Sequence, residues 1–240
     1  MLYADLYLLK PALIDAEQLI GLQSELSPDE YRHWHEIRQP GRQREYLLGR
    51  ILLRRLLAER LGCPPDALVF RTSEHGKPTL ISHDWQFNLS HSGDWLVLAL
   101  CQQGPLGVDV EMGLRRRPVL PLARRFFAPE EYQWLLALPS REQASAFYRL
   151  WSRKEAVLKA QGAGIAAGLD KVRFVPEEGW RLDNRLDTRS YQVLDWHVGS
   201  GWLSLAAPTR QINGYLLDER LKSTPLNPML IHTIFRESAS

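Results

Sequence analysis

The stretch 95-WLVLALCQQGPLGVDVE-111 holds two apolar runs around the turn residues 102-QQGP-105, and it reads as a β-hairpin. Its second arm, 106-LGVDVE-111, has an unusual composition for a strand. Alternation puts Asp109 and Glu111 on one face and Val108 and Val110 on the other. Two carboxylates so close repel each other, and an apolar core does not accept them unpaired. Solvent, a basic side chain or a metal ion must therefore lie beside them.

Outward from this arm, the chain divides into two stretches with similar element order. Upstream, residues 2–9 read as a strand and 43–61 as a helix with an apolar stripe through Leu48, Leu52 and Leu56, stopped by Gly62, Pro64 and Pro65. Short strands follow at 68–72 and 86–89, with the turn 74-EHGKP-78 between them. Downstream, Pro129, Glu130 and Glu131 open a helix that ends near Leu138, and residues 141–161 form a second long helix. After the break 162-GAGIAAG-168, strands are expected near 171–176, 191–198 and 202–206. The expectation is an α+β chain of two comparable halves, residues 1–106 and 107–220, with a tail at 221–240 that either wraps the body or is partly disordered. No repeat of letters is visible between the halves, so the division rests on element order.

Bulk composition excludes several classes. The chain has 240 residues, 45% of them hydrophobic, and a formal net charge of +2, enough apolar material for a sizeable core. Basic residues do not interleave with aromatics on a strand face, so nucleic-acid binding is not expected. No apolar run approaches a membrane span, the N-terminus lacks the pattern of a signal peptide, and Cys63 and Cys101 lack metal-ligand spacing. These features lead us to expect a cytoplasmic protein. Arg115, Arg116, Arg117, Arg124 and Arg125 form a basic cluster that reads as a solvated face or as a surface for an acidic partner.

Four features could carry chemistry, and each has a plain alternative. Asp109 and Glu111 could simply be exposed at a strand end. In 151-WSRKEAVLK-159, Glu155 and Lys159 share one helix face and could be an exposed ion pair, with Lys154 facing a neighbouring direction. Ser90 and His91 in 87-FNLSHSGDW-95 suit an anion better than hydrolytic catalysis, or serve a local turn. Arg71 and Lys77 in 71-RTSEHGKP-78 could balance phosphate charge, or sit in an ordinary surface turn. Together they make one chemical set: three carboxylates for a hard divalent cation, surrounded by hydroxyl and basic groups for phosphates.

Five motifs in order, HGKP, FNLSHSGDW, GVDVE, RFFAPEEY and FYRLWSRKEAVLKA, resemble the larger, pseudodimeric (Sfp-type) class of 4′-phosphopantetheinyl transferases. The resemblance implies two similar α+β halves with the active site in the cleft between them. It implies transfer of the phosphopantetheine arm of coenzyme A to a serine of an apo acyl or peptidyl carrier protein, releasing adenosine 3′,5′-bisphosphate. By motif position, Asp109, Glu111 and Glu155 would hold Mg²⁺, and Glu155 would act as the base, with Glu131 as a rival. Lys154 and Lys159 would neutralise pyrophosphate, Ser90 and His91 would contact the 3′-phosphate, and Arg71 and Lys77 would line the nucleotide side. A monomer is expected, because one chain supplies both halves. A catalytically silent coenzyme A-binding protein is the alternative. Two departures stand out: relatives often carry basic residues after the S-P pair, where this chain has Glu30, Arg32 and His33, and 161-QGAGI-165 replaces a basic K-G-K-G.

Overall fold

A computed structural model describes residues 2–72, 77–81, 83–112, 117–164, 167–175 and 180–234. Its elements repeat. In the first half, strand β1 (Ala4–Leu9) and helix α1 (Ala16–Leu22) lead to helix α2 (Pro28–Glu36) and helix α3 (Pro40–Leu61). Strands β2 (Phe70–Thr72), β3 (Pro78–Leu80), β4 (Gln86–Ser92) and β5 (Trp95–Cys101) complete it. In the second half, strand β6 (Gly107–Glu111) leads through helix α4 (Val119–Phe126) to α5 (Pro129–Ala137) and α6 (Ser140–Gln161). Strands β7 (Val172–Val175), β8 (Arg181–Asn184), β9 (Gln192–Val198) and β10 (Gly201–Ala207) then follow in the same order as β2 to β5.

The correspondence extends to caps and pairing. Helices α2 and α5 each span 9 residues with proline in the first turn, and α3 and α6 each span 22. Both long helices stop at a left-handed glycine, Gly62 (φ 64°) and Gly162 (φ 76°), a conformation other residues resist. Strands β2 and β3 pair as a small antiparallel ribbon, and so do β7 and β8. The order β1-β5-β4 in one sheet matches β6-β10-β9 in the other. A short letter repeat does mark the equivalent helix starts, 27-SPDEY-31 and 128-APEEY-132, which element order alone had not exposed.

The hairpin expected over 95–111 does not form. Strand β5 lies between β1 and β4 and has no free edge, while β6 pairs with β10 in the other sheet. Residues 102–106 thus carry the chain from one sheet to the next. The unbroken apolar run of β5 reflects burial on both faces. Leu96, Leu98 and Leu100 pack with α3, whereas Val97, Ala99 and Cys101 pack with Val108 and Val110 of β6. Layers therefore run from α3 through the first sheet and second sheet to α6, whose Val157 and Leu158 form a third core with Phe147 and Phe174. Among the described residues no helix is long and apolar enough to cross a membrane.

The end of the chain returns to the first half. Strand β11 (Ile212–Leu217) pairs parallel with β1, and strand β12 (Ser223–Leu226) pairs with β11. The four-residue helix α7 (Ile231–Ile234) buries Ile231 against the core between the sheets.

Candidate active site

With Val108 and Val110 facing the core between the sheets, Asp109 and Glu111 face α6. The approach is close enough to require glycine at 107. A Cβ there would stand 2.0 Å from the Ala156 carbonyl oxygen and 2.4 Å from the Ala160 nitrogen. This crossing brings Asp109 to the helix turn that carries Glu155 and Lys159.

Lys159 does not close the helical ion pair with Glu155 that the i, i+4 spacing suggested. Its ammonium donates to Asp109 Oδ1 (2.8 Å), Ser90 Oγ (3.0 Å) and the Val108 carbonyl (3.1 Å). Ser90 in turn donates to Asp109 Oδ1 at 3.1 Å. Asp109 and Glu155 are each 6% exposed, yet Asp109 Oδ2 and Glu155 Oε1 find no donor among the described residues. Burial, then the charges of Asp109 and Glu111, push the Glu155 carboxyl up to about 7, although Lys159 opposes this. Glu111 is half-buried, with Arg117 at 3.9 Å.

Two unpartnered carboxylate oxygens in a buried anionic cluster fit the chemistry of a hard divalent cation. Among the described residues, however, no three His, Cys, Asp or Glu side chains are already gathered as a metal-binding group. Asp109, Glu155 and Glu111 share one electrostatic neighbourhood, and Lys159 is the cation that currently balances Asp109.

Other residues singled out in the sequence separate. Ser90 and His91 point to opposite sides of β4, as strand alternation requires. His91 instead meets Arg42 (Nε2 to Nη1, 3.0 Å) and Glu45 (Nδ1 to Oε2, 3.2 Å). Burial holds its imidazole below the ordinary value; Glu45 opposes this, while Arg42 and Lys159 reinforce it. Arg42 and Glu45 were missed in the sequence because only the fold brings α3 beside β4. Lys77 donates to the Leu106 and Lys159 carbonyls at 3.0 and 2.8 Å, so it clips together the two elements that carry Asp109 and Lys159. Burial and the Arg189 charge lower its ammonium to about 8. Arg71 stays exposed on β2. Glu74, His75, Gly76, Arg115, Arg116 and Ile165 lie outside the described residues.

Lys154 requires a correction, and so does Glu131. Lys154 is 0% exposed and donates to Glu131 Oε2 and to the Leu169 and Val172 carbonyls, leaving no donor for a phosphate. Glu131 is 2% exposed; its Oε2 also accepts from Ala128 N and its Oε1 from Phe174 N. Neither can reach a substrate in the cleft. The first half repeats the arrangement with Glu30 and Arg54, whose guanidinium also binds the Pro65 and Leu68 carbonyls. Glu30 therefore belongs to a structural latch rather than offering a lost phosphate contact.

Beside His91 opens a cavity of about 910 Å³, with Glu45, Tyr46, Phe70, Pro78 and Asn88 among its lining. Its size suits a nucleotide-sized ligand.

Comparison with known proteins gives a consistent picture. Residues 105–213 match the model of the 4′-phosphopantetheinyl transferase superfamily, and residues 16–103 match that of the 4′-phosphopantetheinyl transferase N-terminal region. A Synechocystis protein named as a candidate 4′-phosphopantetheinyl transferase is 35% identical over 219 residues, covering 83% of this chain and 86% of its own. The 4′-phosphopantetheinyl transferase psf-1 of Bacillus pumilus is 42% identical over 128 residues, covering 52% of this chain and 53% of its own. The 4′-phosphopantetheinyl transferase Sfp of Bacillus subtilis is 40% identical over 126 residues, covering 52% and 54%.

Proposed function

The chain belongs to the 4′-phosphopantetheinyl transferase superfamily and is an enzyme of that class, and from this we propose that it moves the phosphopantetheine arm of coenzyme A onto a serine of an apo carrier protein. One observation carries the assignment of the site: Lys159 pairs with Asp109 beneath β4, the Glu155 carboxyl feels the charge of both, and two buried carboxylate oxygens are unpartnered. Asp109, Glu155 and Glu111 would hold Mg²⁺, which when bound supplies charge neutralisation for the pyrophosphate.

The chain's own groups divide the remaining work. Glu155 takes the proton of the carrier serine as the general base at the reacting centre. The serine Oγ forms a bond to the phosphorus that bears pantetheine. The pyrophosphate P–O bond breaks, and its electron pair leaves with adenosine 3′,5′-bisphosphate. Lys159 stabilises the charge that builds on the departing phosphate, as a fixed cation does in a water-poor site. On the far side of β4, His91 and Arg42 face the 3′-phosphate, and the neighbouring cavity receives the nucleoside. Both walls of the cleft come from one chain, so a second copy is not required.

Incubating the protein with coenzyme A, Mg²⁺ and a panel of apo carriers tests this directly. The expected result is a mass gain of one phosphopantetheine on at least one carrier. With Glu155→Gln, transfer should fall by at least about a hundredfold while coenzyme A still binds. Near-normal turnover in that variant would remove Glu155 as the base.

A further inference from the structure

Strands β4 and β6 lie side by side, yet neither sheet order pairs them. The contact is made by side chains. Asn88 Oδ1 accepts the Val108 N–H at 2.8 Å, Ser90 Oγ accepts the Val110 N–H at 3.2 Å, and Ser92 Oγ accepts the Met112 N–H at 3.1 Å. Three alternate residues of one strand thus satisfy three alternate amides of the next. The opposite edge of β6 is already given to β10, so this edge would otherwise face the junction unpaired. The same edge brings Ser90 and Lys159 beside Asp109.

We infer that Asn88 and Ser92 are positioning residues that set the height and tilt of Asp109 and Glu111 for the divalent cation. Asp109 lies between the amides held by Asn88 and Ser90; Glu111 lies between those held by Ser90 and Ser92. Ser90 touches the carboxylate cluster itself, whereas Asn88 and Ser92 reach it through the backbone of β6. The inference rests on the reading of Asp109, Glu111 and Glu155 as the cation site. Groups that orient metal ligands typically change metal affinity by ten- to a hundredfold when removed.

The test uses the full chain and Mn²⁺ as a paramagnetic probe, titrated without coenzyme A so that binding is read independently of turnover. Asn88→Ala and Ser92→Ala should each weaken Mn²⁺ binding about tenfold. Amide exchange within residues 107–112 should quicken, and Ser92→Thr, which keeps the hydroxyl, should restore both. In turnover, Ser92→Ala should need more Mg²⁺ while approaching the original kcat at saturation. Should Asn88→Ala fail to fold, the half-buried Ser92 carries the test alone. Unchanged Mn²⁺ affinity in variants whose thermal stability has dropped would mean that the seam is structural only, and would overturn the inference. A wild-type protein that binds no Mn²⁺ would overturn the cation reading and this inference with it; transfer with Mn²⁺ bound but insensitive to the seam leaves that reading standing and removes only this one.

Discussion

At the scale of the residue, Glu155 has the most informative environment. Its carboxyl titrates near 7 in the folded chain against an ordinary value of 4.5, because burial and two neighbouring carboxylates disfavour the charge. The linkage has a definite sign. Between about 4.5 and 7 the folded state keeps a proton that the unfolded state has lost, so this group makes stability fall as pH rises through that window and contributes no further change above it. Glu155→Gln in metal-free buffer should therefore be more stable than the parent at pH 8, by up to about 3 kcal/mol. The difference should shrink toward pH 5, as thermal melts at both pH values would reveal. A constant difference across that range would show that Glu155 does not titrate there. The sequence offered Glu155 and Lys159 as i, i+4 neighbours, a spacing that describes many exposed pairs. What it could not offer is that Lys159 turns to Asp109, because that partner arrives from another sheet.

Elements reveal why two residues of the recognised motifs do not enter the chemistry. Glu131 and Lys154 lock the start of α5 to α6 and to the 169–174 segment, and Glu30 with Arg54 locks α2 to α3 and the 65–68 segment. A buried ion pair is not itself a large source of stability, but removing one partner strands the other without water or counter-charge. Lys154→Met should cost about 3–5 kcal/mol in denaturant unfolding, with the double variant Glu131→Gln/Lys154→Met recovering part of the loss. Additive losses would show that the two side chains do not interact. Sequence periodicity located α3, α5 and α6 within a few residues. It missed α1, α4 and β11, since short or weakly patterned segments become ordered only when a neighbour covers them. It also mistook β5 and β6 for a hairpin, because a continuous apolar run separated by a turn does not reveal which edge of each strand is already taken.

Across the whole molecule, the second half donates the carboxylates while the first donates the surfaces that meet them. Asp109 and Glu155 come from β6 and α6, whereas Ser90, His91, Arg42 and the adjoining cavity come from β4 and α3. Arg117 lies beside Glu111, and the following helix α4 ends on the exposed Arg124 and Arg125. An acidic carrier approaching the cleft would be drawn by that field, which salt screens. Arg124→Glu/Arg125→Glu should lower carrier kcat/KM roughly tenfold at low salt and flatten its salt dependence, with coenzyme A KM unchanged. An unaltered salt profile would place carrier attraction elsewhere. The amino-acid sequence by itself determined the family through five ordered motifs, the long helices through their period and glycine stops, and the set of carboxylates through GVDVE and WSRKE. These are local patterns, readable without knowing what packs on them. Only the tertiary structure decided that GVDVE leaves the first sheet, that Gly107 lets it touch α6, that Lys154 is latched away and that Asn88, Ser90 and Ser92 hold β6 in place. Each of those facts depends on contacts between segments distant in the chain, and side-chain direction across such a contact is set by packing rather than by neighbouring letters.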